Sequence, residues 1–198
     1  MISKEKTKMA LEKMYAMFPD AVGELEHQTP FQLLIAVILS AQATDVSVNK
    51  VTPHLFAAYP NAEQLANAPL ETITEYIRTI GLYRNKAKNI KRCAQQIMEE
   101  FDGNVPETRE ELMRLAGVGR KTANVVLGDA FNTPAIAVDT HVERVSKRLR
   151  ICKLDASVSE VEETLMRKVP KEDWVKMHHT MIFFGRYHCT ARAPKCEV

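Results

Sequence analysis

The sequence predicts an all-α protein, on three observations. Apolar residues recur at intervals of three and four through nearly every segment, the spacing that places them on one face of a helix. No stretch sustains the alternation of apolar and polar residues that marks a half-buried strand. Helix-start and helix-stop residues punctuate the pattern often enough to set the expectation at about ten helices.

Taken in order, Leu11, Met14, Tyr15 and Phe18 form the inner face of a first helix ending before Pro19. Thr29-Pro30 is a strong start: a capping hydroxyl, then a proline at the one helical position where its missing N–H is no loss. Phe31 to Ala41 is apolar all round, as a central buried helix should be. Val48, Val51, Leu55 and Tyr59 make the next stripe, and Leu70, Ile73, Ile77 and Ile80 a fourth, stopped by Gly81. Ala87, Ile90, Ala94, Ile97 and Phe101 give a fifth, ending near Gly103. Thr108 and Glu111 are spaced as a capping box ahead of Leu112 and Leu115. After Gly117-Val118-Gly119 a new helix starts almost at once. Asp139-Thr140 opens another, with Val142, Val145 and Leu149 facing inward. Ser157 and Glu160 form a second capping box before Val161 and Leu165. A last helix holds Trp174, Met177, Met181 and Ile182 and is expected to stop at Gly185.

Composition narrows the classes. The chain has 198 residues, 45% hydrophobic and 26% charged, with 7 Gly and 9 Pro, which counts against disordered, collagenous and low-complexity proteins. The longest purely apolar run, Leu33 to Leu39, is far short of the roughly 20 residues a membrane span needs. The opening Met1-Ile2-Ser3-Lys4 has no signal-peptide character, so a cytoplasmic protein is expected. Of the four cysteines, Cys93 and Cys152 read as buried thiols within helices, and Cys189 and Cys196 fall in an irregular terminal segment.

The net charge of +2 hides an asymmetry. Residues 1–75 hold 5 Lys+Arg against 9 Asp+Glu, and residues 76–198 hold 22 against 16. Two clusters stand out: Arg84, Lys86, Lys88, Lys91 and Arg92, then Arg144, Lys147, Arg148, Arg150 and Lys153. Such clusters either follow a phosphate backbone or form solvated helix faces.

Two constellations could carry chemistry. Gly117 and Gly119 flank one valine between two helices, letting the backbone approach a ligand and turning amide N–H groups toward an anion. A tight structural turn would look the same. Lys121 then falls in the first turn of the following helix, where the dipole and Arg120 disfavour a second cation and so favour the neutral, nucleophilic amine. A surface lysine or a phosphate contact is the plainer reading. Asp139 follows the apolar Ile136-Ala137-Val138 and is either a helix cap or a carboxylate that stabilises positive charge on a sugar.

At these residues the chain resembles a known family. Leu115 to Ala123 is similar to the helix-hairpin-helix of the DNA glycosylase superfamily, and Val138-Asp139-Thr140-His141-Val142 to its Gly/Pro-to-Asp segment. Leu39-Ser40-Ala41-Gln42-Ala43-Thr44-Asp45, Ile80-Gly81-Leu82-Tyr83-Arg84-Asn85-Lys86-Ala87 and Phe183-Phe184-Gly185-Arg186-Tyr187-His188-Cys189 extend the likeness over nearly the whole chain. Together they resemble the endonuclease III family. The resemblance implies a six-helix domain at 22–133 and a terminal domain made of 1–21 and 134–198, with a DNA-binding cleft between them that Lys121 and Asp139 reach from either side. It implies a monomeric, bacterial, cytoplasmic and nucleoid-associated repair enzyme with no membrane contact, acting on double-stranded DNA that carries a damaged base or abasic site. The activity implied is that of a bifunctional glycosylase and lyase for oxidised pyrimidines, with Lys121 forming a Schiff base and Asp139 assisting. Gln42 and Leu82 would fill and wedge the opened duplex, Gly117 and Gly119 would meet the backbone, His141 would contact DNA, and Asp45 would line the lesion pocket, with a core histidine and a helix cap as the plainer readings of the last two. A non-catalytic helix-hairpin-helix DNA-binding module and a purely structural helical domain are the alternatives.

The family pattern is departed from twice. Ala116 stands where the family usually has Pro, which is expected to loosen the hairpin slightly. The family's [4Fe–4S] motif, Cys-x6-Cys-x2-Cys-x5-Cys, is met in its first interval by Cys189 and Cys196, and its next ligand would fall at position 199. The expectation is therefore a chain cut short of its motif, in preference to one that has lost the cluster or that carries two stray thiols, with the cluster absent or incomplete.

Overall fold

The computed structural model describes residues 1–196. Among them eleven α-helices and no strand occur: α1 Lys4–Met17, α2 Pro30–Leu39, α3 Asp45–Ala58, α4 Ala62–Asn67, α5 Leu70–Tyr76, α6 Tyr83–Phe101, α7 Arg109–Leu112, α8 Arg120–Phe131, α9 Thr140–Arg148, α10 Val158–Lys168 and α11 Trp174–Tyr187. One turn of 3-10 helix, Lys171–Asp173, precedes α11. The chain divides into two compact units, Glu24–Asn132 and Met1–Gly23 with Thr133–Val198.

The continuous unit is built around α2. Thr29 caps it and Pro30 opens it, and every residue from Phe31 to Leu39 is buried. It packs against α3, α6 and α8, which explains why it needs no polar face. α6, the longest helix, carries α4 and α5 on one side and buries Ala87, Ile90, Ala94 and Ile97. α7 sits on α8, where Arg109 Nε donates to Asn124 Oδ1 at 2.8 Å.

In the terminal unit α11 packs on α1 and α9, and α10 touches both α1 and α9. Leu11, Met14, Val142, Val145, Val161, Leu165, Met177 and Met181 form its core. Lys168 Nζ donates to Ile2 O at 2.6 Å and to Ile151 O at 2.8 Å, which ties the first residues of the chain to this unit.

Several local expectations are corrected. The fourth stripe is not one helix: α5 ends at Tyr76, and Ile77 and Ile80 are buried from the turns that follow. A short α4, capped by Asn61, precedes it without having been legible as a stripe. Ser157 and Glu160 form a full capping box, but at Thr108 the Glu111 carboxylate accepts from the Thr108 hydroxyl instead of the backbone, so only half a box is made. Cys152 is buried beyond the end of α9, not inside a helix. Gly185 does not stop α11; it lies within it. A Cβ there would come within 2.9 Å of His141 Cβ, so this glycine lets α11 approach α9 closely.

Candidate active site

The hairpin between α7 and α8 uses its two glycines differently. Gly117 has φ +80, in the left-handed region, and a Cβ there would sit 3.1 Å from both Asn89 Cβ and Ile38 Cγ2. It is a packing glycine that seats the turn on α6 and α2. Gly119 is extended, with φ −94 and ψ 177, and a Cβ there would meet nothing within 4 Å. It is the N-cap of α8 and supplies no side-chain cap, the arrangement in which leading amides serve an external anion. Buried Val118 anchors the turn from between them.

The turn is also braced at Ala116, the position where the family usually has Pro. Gln96, on α6, accepts the Ala116 N–H at 2.8 Å through Oε1 and donates to Arg114 O at 3.1 Å through Nε2. Proline could not have made the first of these bonds, so the N–H gained with Ala116 is put to use. Lys121 is the second residue of α8 and is exposed. Among the described residues nothing hydrogen-bonds or ion-pairs with its ammonium. Ala123, Val126 and Leu127, buried on the opposite face, hold the helix beneath it.

In the other unit, Asp139 caps α9. Its Oδ1 accepts from His141 N at 2.9 Å and Val142 N at 2.8 Å, so the cap reading is correct as far as that oxygen goes. The residue is half-buried at the end of the buried run Ala135 to Val138. Two fixed amides hold one oxygen and thereby orient the second. His141 is half-buried, with Arg144 Nη2 at 3.1 Å from its Nδ1 and Gly185 against its Cβ. Burial pushes its imidazole below the usual value, with Asp139 opposing and Arg144 and Arg186 reinforcing.

Gln42 and Leu82 are exposed non-glycine residues with left-handed backbones, φ 55 and φ 60, a conformation also found at exposed Asp102, Asn132 and Arg150. Leu82 is 59% exposed and stands at the N-cap of α6. Such conformations are strained for L-residues and tend to gather at functional positions. Asp45 is the half-buried first residue of α3.

The basic clusters are less available than the sequence suggested. Lys86 is 4% exposed and its Nζ donates to Leu39 O; Lys91 Nζ donates to Ala66 O and Ala68 O; Arg92 pairs with Glu99. In the second cluster, Arg144 reaches Gly185 O and Cys189 O, Arg148 reaches Thr190 O and Ala191 O, and Lys147 pairs with Glu143. Much of this charge therefore organises the protein itself.

Residues 35–171 match the family described as HhH-GPD superfamily base excision DNA repair protein. Over 99% of its length the chain is 57% identical to Endonuclease III of Bacillus subtilis (strain 168), of which it covers 90%. The chain belongs to the endonuclease III family. It is also 46% identical to Endonuclease III of Escherichia coli (strain K12), with 98% of this chain and 92% of that protein covered. A solved structure titled as a trapped endonuclease III–DNA covalent intermediate, in an estranged-adenine complex, superposes with a TM-score of 0.96 at 57% identity, covering 99% of this chain and 92% of that one.

The family generally carries a four-iron cluster, which needs four ligands. Here Cys189 is buried, with Arg148 Nη1 at 3.5 Å from its Sγ, and Cys196 is exposed. Cys93 is buried within α6 of the other unit, and burial pushes its thiol up to about 12. Among the described residues no group of three or more metal-binding side chains forms. The described residues do not by themselves fit the cluster.

Proposed function

We propose that this chain is a base-excision-repair DNA glycosylase and abasic-site lyase for oxidised pyrimidines, with Lys121 as its nucleophile. One observation carries the reading: an exposed lysine, without a partner among the described residues, stands in the first turn of a helix whose start has no side-chain cap and whose N-cap glycine is open to solvent. Family membership and the covalent DNA complex of the 57% identical protein support it.

The chemistry follows from the groups present. A base inside a duplex is out of reach, so the nucleotide must first be flipped out, at a cost of a few kcal/mol that is smaller for a damaged base. Leu82 wedges the opened step and Gln42 occupies the space left, both from turns already held in strained conformations. The amides at the start of α8 take a backbone phosphate. The neutral Lys121 amine forms an N–C1′ bond as the glycosidic bond breaks, and the base leaves with the bonding pair and takes up a proton. The amine's surplus proton passes to O4′ as the C1′–O4′ bond breaks, and the sugar ring opens to a protonated Schiff base. Loss of a C2′ proton then expels the 3′ oxygen with its phosphate, which cuts the strand by β-elimination. Asp139, oriented by its two backbone amides, stabilises cationic sugar character and handles the amine proton.

Borohydride added to protein and a duplex with one abasic site tests this. A covalent complex is expected that Lys121→Ala abolishes while leaving stability within about 0.5 kcal/mol, since the side chain is exposed and has no partner among the described residues. DNA binding without trapping by the intact protein would favour a non-catalytic module. Absence of salt-sensitive DNA binding would favour a structural domain.

A further inference from the structure

Lys86 is a lysine on the buried face of α6, in line with Ile90, Cys93, Ala94 and Ile97. Its place is unusual for a cation, and burial pushes its ammonium below the ordinary value. The compensation lies at the end of α2. Four carbonyls at a helix C-terminus lack intrahelical partners. In α2 Ala36 O takes the Ser40 N–H at 2.9 Å, Val37 O the Ser40 hydroxyl at 2.9 Å, and Ile38 O the Ala41 N–H at 3.4 Å. Leu39 O takes Lys86 Nζ at 2.9 Å. The negative end of the α2 dipole favours that cation.

The consequence reaches two exposed residues. The turn from Ser40 to Ala43, closed by Ala43 N–H on Ser40 O at 3.0 Å, springs from Leu39 and presents Gln42. The backbone N–H of Lys86 meanwhile donates to Leu82 O at 3.1 Å, the first helical bond of α6. One residue thus holds the Leu82 turn through its backbone and the Gln42 turn through its side chain. We propose that Lys86 is a positioning residue: a strut that fixes the spacing of Gln42 and Leu82, so that the two act as one wedge when the duplex is opened. This rests on the reading of Gln42 and Leu82 given above.

The strut matters only where there is a duplex to open, which supplies the test. Single-turnover β-elimination is measured on an abasic site in a duplex and on the same strand unpaired, for the intact protein, Lys86→Met and Lys86→Arg. In Lys86→Met the duplex rate falls on the order of 10- to 100-fold, the scale of a small misplacement at a reacting centre, while the single-strand rate stays near that of the intact protein. Lys86→Arg, which keeps charge and donors, restores most of the duplex rate. An unchanged duplex rate in Lys86→Met, or an equal loss on both substrates, overturns the strut. An intact protein that cleaves neither substrate removes the catalytic reading itself, an outcome separate from failure of the strut. A second readout does not depend on how Lys86→Met folds. In ¹⁵N-lysine spectra of the intact protein, the sheltered Lys86 ammonium, assigned by its loss in Lys86→Arg, shifts on adding abasic duplex and not on adding the single strand. No shift with the duplex also overturns the proposal.

Discussion

The two glycines of the hairpin should separate stability from DNA chemistry. In Gly117→Ala the new Cβ forces a left-handed L-residue, costing about 1–2 kcal/mol. It also presses on Asn89 Cβ and Ile38 Cγ2 at 3.1 Å, an overpacking cost of about 1–3 kcal/mol. The stiffer unfolded chain returns about 0.4–1 kcal/mol, leaving a net loss of about 1–4.5 kcal/mol. Gly119→Ala meets nothing and keeps an allowed backbone. Its poorer N-cap, worth about 1 kcal/mol at most, is offset by the same unfolded-state gain, so stability should hold within about 0.5 kcal/mol. Urea unfolding measures both, and borohydride trapping on abasic duplex is run alongside. Gly119→Ala should lose trapping while remaining as stable as the intact protein, because its Cβ stands where a phosphate would approach the amides. Equal stability of the two variants, or a larger loss in Gly119→Ala, would refute the division of labour.

Three further outcomes are expected. Because burial lowers the His141 value in the folded protein, the unfolded chain binds a proton at higher pH; the stability linked to this histidine is intact above about pH 6.5 and lost as pH falls from there toward the lowered folded value. Urea unfolding at several pH values should show a shallower decline in His141→Gln, and an identical decline would contradict the assignment. Gln96→Leu should cost about 1–2 kcal/mol for two lost hydrogen bonds, and a double-mutant cycle with Ala116→Pro should show coupling, since Ala116 N–H is one of the partners; strict additivity would deny the brace. Gly185→Ala should destabilise by about 1–3 kcal/mol, because its Cβ would lie 2.9 Å from His141 Cβ and 3.3 Å from Arg144 Nη2; a neutral result in thermal unfolding would mean that α9 and α11 have room to spare.

Much of the fold was legible because local chemistry and burial agree. Thr29-Pro30 caps a helix whose whole body is apolar, and Ser157 with Glu160 closes a box ahead of buried Val161 and Leu165. Where the reading failed, tertiary contacts overrode the local signal. Ile77 and Ile80 keep helical spacing yet are buried from turns, because the chain must reach the left-handed Leu82. Gly185 has the look of a stop and is a contact point, which only its distance to His141 reveals. The site shows the same split. Lys121 and Asp139 could be named from motif and resemblance, whereas the bracing residues Gln96 and Lys86 could not, because their partners are backbone atoms 18 to 47 residues away. A signal for Lys86 did exist: it occupies an inward position of the α6 stripe, where a lysine is out of place. Charge counts place it in a basic cluster instead, since they do not register burial.

In the proposed reaction Lys121 becomes covalently joined to C1′ of the damaged nucleotide. The most direct measurement is to reduce the protein–DNA adduct with borohydride, digest it and sequence the modified peptide by mass spectrometry. The account predicts that the reduced sugar is carried on Lys121; a linkage on any other residue, or no linkage at all, would contradict it.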